Sequence, residues 1–242
     1  MYKRIMLSVV FCLATGPLSL SVAFGQENPS GDKIVESYLQ ALGGQKALAA
    51  IQDRTSKGSF TVFGMAGTLL AHEKVPNKSH QLIDMGMAKV ETWFDGTQGY
   101  RINPTKGDGP FTAEEIAQAK NNFAISPFLT YKDRGVKLRY VKKEKVGASD
   151  ADVVEATDAE GKVITYYFDA ANHYLVKMVA PVPDSDGGGN LELEFSDYRD
   201  VSGVKFPCKT VGTTTALTFE MVVDSIEVNT GLADTVFQRS AN

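Results

Sequence analysis

VITYYFDAANHYLVKMVAPVPDSDGGGNLELEFSDYRDVSGVKFPCKTV, from Val163 to Val211, alternates strand with turn along its whole length. Val163 to Phe168 is β-branched and aromatic, the composition of a pleated, partly buried strand. Asp169-Ala170-Ala171-Asn172 supplies a turn, because Asp and Asn side chains hydrogen-bond their own backbone. His173 to Ala180 reads as the returning strand, and Pro181, Pro183 and Gly187 to Gly189 break the chain again. In Asn190 to Tyr198, Leu191, Leu193 and Phe195 fall on one face and Glu192, Glu194 and Ser196 on the other, which gives that strand a dry side and a wet side. Asp200-Val201-Ser202-Gly203 reverses it into Val204 to Val211. Antiparallel hairpins are the building unit.

The pattern continues in both directions. Thr215 to Val228 places Leu217, Phe219, Met221 and Val223 on one face, but Ile226 and Val228 are out of phase, which predicts a bulge near Asp224-Ser225. Ala233 to Phe237 reads as a closing turn of helix. Upstream, strands are predicted at Lys137 to Val146 and Asp152 to Thr157, and before them at Lys57 to Phe63, Gly67 to Val75, Ser79 to Met85, Lys89 to Asp95 and Gly99 to Ile102. Thr112, with Glu115 three residues on, is a capping box for a helix over Ala113 to Asn121. Ahead of all the strands, Ile34, Val35, Tyr38, Leu39 and Leu42 recur at helical spacing behind Ser30 or Asp32; Gly43-Gly44 stops that helix and Gln45 to Ile51 adds a short second piece. A helix with one apolar stripe needs a covering partner, and the strands downstream of it supply a sheet.

With 242 residues, 43% hydrophobic and 22% charged, the chain has the material for one ordinary globular domain or at most two small ones. A net charge of −4 without a basic tract leaves no electrostatic footprint for nucleic acid. The densest basic run, Lys137 to Lys145, alternates with Leu138, Tyr140 and Val141 and reads as the solvated face of a strand. Lys3 and Arg4, the apolar run Ile5 to Ala14 and the small residues ending at Gly25 form an export signal, so residues 1–25 are expected to be removed and 26–242 to form the mature domain. Cys12 lies inside the apolar run after Phe11, the wrong context for lipid attachment, and Cys208 alone makes no intramolecular disulfide. No segment of the mature chain is apolar over a length that crosses a bilayer.

Motifs for chemistry are missing. His72, His80 and His173 lack metal-site spacing, no serine sits in a nucleophile elbow, and no glycine-rich loop follows a strand and opens a helix. The reading is therefore of a non-enzymatic protein without cofactor or metal.

YLQALGGQKALAAI at the N-terminus, WFDGTQGYRINP (Trp93 to Pro104), SPFLTYKDRGVKLRYVKKEKVG (Ser126 to Gly147), YYFDAANHYLVK and FSDYRDVSGVKFP (Phe195 to Pro207) together resemble the outer-membrane lipoprotein-sorting-protein-like family, which groups LolA, LolB, LppX and RseB-like proteins. The resemblance covers nearly the whole mature chain. It implies a mainly β (α+β) fold, a single curved antiparallel sheet forming an unclosed half-barrel of about eleven strands around N-terminal and inserted helices. It also implies a periplasmic location in a Gram-negative-type bacterium, and a lipid, acyl chain or lipidated protein held on the concave side. An RseB-like role, docking or sensing another envelope protein, is the alternative. The cleanly alternating strand faces offer Phe60, Val62, Val90, Phe94, Leu191, Leu193, Phe195, Leu217, Phe219 and Met221 as the hydrophobic lining. The inward-facing arginine associated with the LolA carrier is not placed by the sequence.

Overall fold

The computed structural model describes residues 29–121, 126–182 and 188–239. The expected export signal, Pro183 and Gly187 lie outside them. Among the described residues three α-helices, α1 (Gly31–Ala41), α2 (Gln45–Ala49) and α3 (Ala113–Asn121), accompany thirteen strands. These are β1 (Asp53–Val62), β2 (Met65–Lys74), β3 (Lys78–Asp84), β4 (Lys89–Phe94), β5 (Gly99–Ile102), β6 (Gly109–Pro110), β7 (Lys137–Val146), β8 (Ser149–Thr157), β9 (Val163–Asp169), β10 (Leu175–Pro181), β11 (Asn190–Val201), β12 (Val204–Thr213) and β13 (Thr218–Val228). All belong to one antiparallel sheet, which reads β6-β5-β4-β3-β2-β1-β13-β12-β11-β10-β9-β8-β7 from edge to edge. The chain meanders out from β1, crosses to the far edge through α3, and meanders back until its last strand pairs with its first. Two edges stay free, so the sheet is an unclosed half-barrel.

The differences from expectation are local. Thirteen strands replace about eleven, and the one that the residues did not announce is Gly109–Pro110, two residues whose identities signal a loop. Strand β1 begins at Asp53, four residues before the predicted start, because its polar opening is satisfied from the other end of the chain. The Asp53 carboxylate accepts from Thr230 N at 2.8 Å, Thr230 Oγ1 at 3.1 Å, Gly231 N at 2.9 Å and Leu232 N at 3.3 Å. The predicted bulge is present: Lys57 opposes Ser225 while Gly58 opposes Val223, leaving Asp224 as the extra residue. Glycine is required opposite it, since a Cβ on Gly58 would stand 1.9 Å from the Val222 carbonyl oxygen.

Ser30 caps α1, its Oγ accepting from Lys33 N at 3.3 Å. The buried stripe of this helix, Ile34, Val35, Tyr38, Leu39 and the following Leu42, packs with Leu48, Ile51 and Phe128 onto Val154, Ala156, Tyr166, Phe168, Val204 and Phe206 of the sheet. The Phe128 ring meets Tyr38 at 5.7 Å, Tyr166 at 4.8 Å and Phe168 at 5.8 Å between centroids. Close approach is enforced at Gly31, where a Cβ would come within 2.9 Å of the Leu138 backbone. Lys205 N also donates to the Leu42 carbonyl at 2.9 Å, fixing the end of α1 to the β11–β12 turn. Leu39 is 1% exposed at the centre of this cluster, so Leu39→Ala is expected to lower stability in urea unfolding by about 2–5 kcal/mol. Val163→Ala, at an exposed position, should change it by no more than about 0.5 kcal/mol.

Candidate functional site

Directly opposed residues of an antiparallel sheet share a face, so the register assigns faces across all thirteen strands. The face that carries α1 includes Val154, Tyr166, Met178, Leu193, Gly212, Phe219, Val62 and Met65, which follow one another strand by strand. A neighbouring row runs Phe195, Thr210, Met221, Phe60 and Gly67. A third joins Val223, Gly58, Leu69, Ile83 and Val90. Nine of the ten sequence candidates lie in strands and all nine fall on this inner face.

They do not form one site. Phe94 is 1% exposed, and its ring stacks on Phe111 at 6.2 Å, with Phe111 seated over Gly99. Phe195 packs against the core under α1. Leu217 sits in the β12–β13 turn, where its carbonyl accepts from Thr214 N at 2.9 Å. Val90 lies three strands from β1, beside Ile83. The remaining six, Phe60, Val62, Leu191, Leu193, Phe219 and Met221, are grouped over β11, β12, β13 and β1, half-buried and outside the helix-covered core. Phe60 and Phe219 stack at 5.5 Å, and the Phe219 ring rests over Gly212, where a Cβ would be 2.1 Å from Cζ. The inner face thus has a packed half under α1 and α2 and an apolar half that they leave uncovered.

Two arginines on the inner face were not singled out from the sequence. Arg54 donates through Nε to Glu73 Oε2 at 2.6 Å and lies 5.0 Å from the centroid of the Phe206 ring, at the border between the two halves. Arg101 donates from Nη1 to Glu115 Oε2 at 2.6 Å, and Glu115 Oε2 also accepts from Thr112 N at 2.8 Å. The capping-box glutamate therefore ties α3 to β5 on the other flank. Both arginines have carboxylate partners, so neither offers a bare charge to a ligand. Arg54 was hidden because β1 was expected to begin after it.

Burial pushes the Tyr166 phenol up to about 12 and the Tyr38 phenol higher still, so both stay protonated near neutrality. Among the described residues no three His, Cys, Asp or Glu side chains converge as a metal site needs. A depression of about 580 Å³ lies instead on the outward side of α1, lined by Lys33, Glu36, Ser37, Gln40, Ala41 and His173, and it includes none of the ten candidates.

No protein-family model matches the chain, and no curated protein matches it. Solved structures do. A DUF1329 family protein from Desulfovibrio piger is similar at 12% identity and TM-score 0.57, over 87% of this chain and 98% of that one. A LolA superfamily protein from Nitrosomonas europaea is similar at 10% identity and TM-score 0.57, over 88% and 99%. The chain has the LolA-like fold. A domain named for outer membrane lipoprotein sorting, from Vibrio parahaemolyticus, shares the LolA-like fold at 14% identity and TM-score 0.52, over 86% and 95% of the two chains.

The contact of Phe219 with Gly212 gives a direct check on the uncovered half. Gly212→Ala should force the ring off the sheet and lower stability by about 1–3 kcal/mol. Phe219→Ala in the same chain should recover part of that loss, a non-additivity that urea unfolding of the single and double variants measures.

Proposed function

We propose that the chain is an exported, periplasmic, non-catalytic protein that holds an acyl chain of a lipid or lipidated protein on the uncovered half of its inner face. Lipoprotein sorting at the outer membrane is the process this would serve. The observation that carries the reading is the grouping of Phe60, Val62, Leu191, Leu193, Phe219 and Met221 on one face, outside the core that the helices cover. The similarity in fold to a LolA superfamily protein supports it.

The openness of the surface sets the strength. Complete burial of a chain of ~15 methylenes yields about 12 kcal/mol at roughly 0.8 kcal/mol each. A floor without a roof removes about half of that surface from water, which leaves about 6 kcal/mol against an association cost of about 4–15 kcal/mol. One acyl chain is then an exchangeable cargo, and firm retention takes two chains.

The test is expression with the chain's own leader in a Gram-negative host, followed by solvent extraction and mass spectrometry of the purified periplasmic protein. Lipid is expected in the extract. Leu193→Asp and Met221→Asp should each weaken binding of a fluorescent fatty acid by at least about tenfold, or about 1.4 kcal/mol, while leaving the circular dichroism unchanged. A lipid-free protein whose fatty-acid affinity is the same in both variants would refute the proposal.

A further inference from the structure

The outer face of β1 to β5 carries one row of opposed residues, Thr55, His72, His80, Trp93 and Tyr100, one from each strand. The His72 and His80 rings stack at 5.5 Å between centroids, and the His80 and Trp93 rings at 5.3 Å and 7° from parallel. His72 Nδ1 is 2.9 Å from Thr55 Oγ1, and His80 Nε2 is 2.9 Å from Glu91 Oε1. With its Nε2–H given to the carboxylate, a neutral His80 has no proton on Nδ1. That nitrogen is buried and has no hydrogen-bond partner among the described residues.

The C-terminal segment lies across this row. Asp234 bridges Lys74 at 2.8 Å and Lys78 at 2.7 Å, the opposed pair next to His72 and His80 on the same face. Lys74 Nζ also donates to the Leu232 carbonyl at 2.8 Å, and Phe237 is 1% exposed. Farther on, the Arg239 guanidinium stands 4.1 Å from the centroid of the Tyr100 ring on β5. Between its fixed points on β2–β3 and β5 the chain has to cross the strands that carry His80 and Trp93, and its 3-10 turn (Asp234–Phe237) touches β3.

We propose that residues 229–239 form an acid-released strap and that His72, stacked on His80, is its trigger. A cationic His72 would face His80 across the stack and Lys57 on β1, with Lys74 next on its own strand and Lys78 opposite Lys74 on β3. Of the nearby anions, Glu91 holds His80 and Lys89, Asp234 holds two lysines, and Glu227 stands on β13, opposite Thr55. Burial, then His80, then Lys57 hold the His72 imidazolium down, so its folded pKa lies below the ordinary histidine value. Such a group adds stability above about pH 6.5 that is lost as the pH falls through the lowered folded value. Asp234 does not share this window, because Lys74 and Lys78 lower its carboxyl to about 2 and it stays ionised throughout. The strap's ion pairs therefore persist while the surface beneath them becomes charged.

Hydrogen exchange of the full chain near pH 7.5 and pH 5, corrected for intrinsic rates, tests this. Amides from Leu232 to Gln238 should open at least about threefold more often at the lower pH, while those of α1 are unchanged. Acrylamide quenching of Trp93, the only tryptophan, should rise over the same interval. In His72→Gln both acid responses should disappear. His80→Gln, which removes the stacked neighbour but keeps Thr55 and His72, should shrink them and provides the reading if the first variant does not fold. Equal protection of the strap at both pH values, or an undiminished acid response in the folded variants, would overturn the proposal.

Discussion

The width of the sheet against the length of the helices is the constraint on which the rest depends. Thirteen strands at about 4.8 Å spacing make a surface roughly 58 Å across, whereas the 11 residues of α1 extend about 16 Å. One helix and a five-residue companion cannot shield such a face. They cover β7 to β12 and the end of β13 with a dense aromatic and aliphatic cluster, and the rest of the inner face must find other cover or stay half-exposed. Polar substitution there would be the simple remedy, yet Phe60, Val62, Leu193, Phe219 and Met221 remain apolar. These side chains form an apolar surface that the helix-covered core does not include.

Much of this was legible because period-two alternation and turn chemistry are local properties. The phase change in Thr215 to Val228 placed a bulge near Asp224-Ser225, where Asp224 is the extra residue, and the Thr112–Glu115 capping box located α3. What could not be read depended on distant partners. Asp53 and Arg54 fall before the predicted strand until Thr230, Gly231, Leu232 and Glu73 are brought to them. Phe94 looks like its neighbours in the alternating pattern, and only Phe111 seated over Gly99 removes it from the exposed lining. The face of the nine strand candidates was thus visible in sequence, while their cover was not, because cover is a tertiary property.

The two faces do different work. On the outer face of the far strands, cross-strand ion pairs such as Lys209 with Glu220 and Lys177 with Glu192 keep the surface wet. Each contributes little on its own, but together they give the sheet a solvated side. Beneath the C-terminal segment, by contrast, the outer face turns aromatic and carries two of the three histidines. Cover is again supplied by a separate piece of chain, held at its ends by Asp234 and Arg239.

The most direct measurement of the central claim is paramagnetic broadening of methyl resonances by a spin-labelled fatty acid. Broadening is expected at Val62, Leu193 and Met221, with Val35 and Leu39 on the buried stripe of α1 left sharp. Broadening confined to the helix-covered residues, or none at a saturating concentration of the probe, would contradict it.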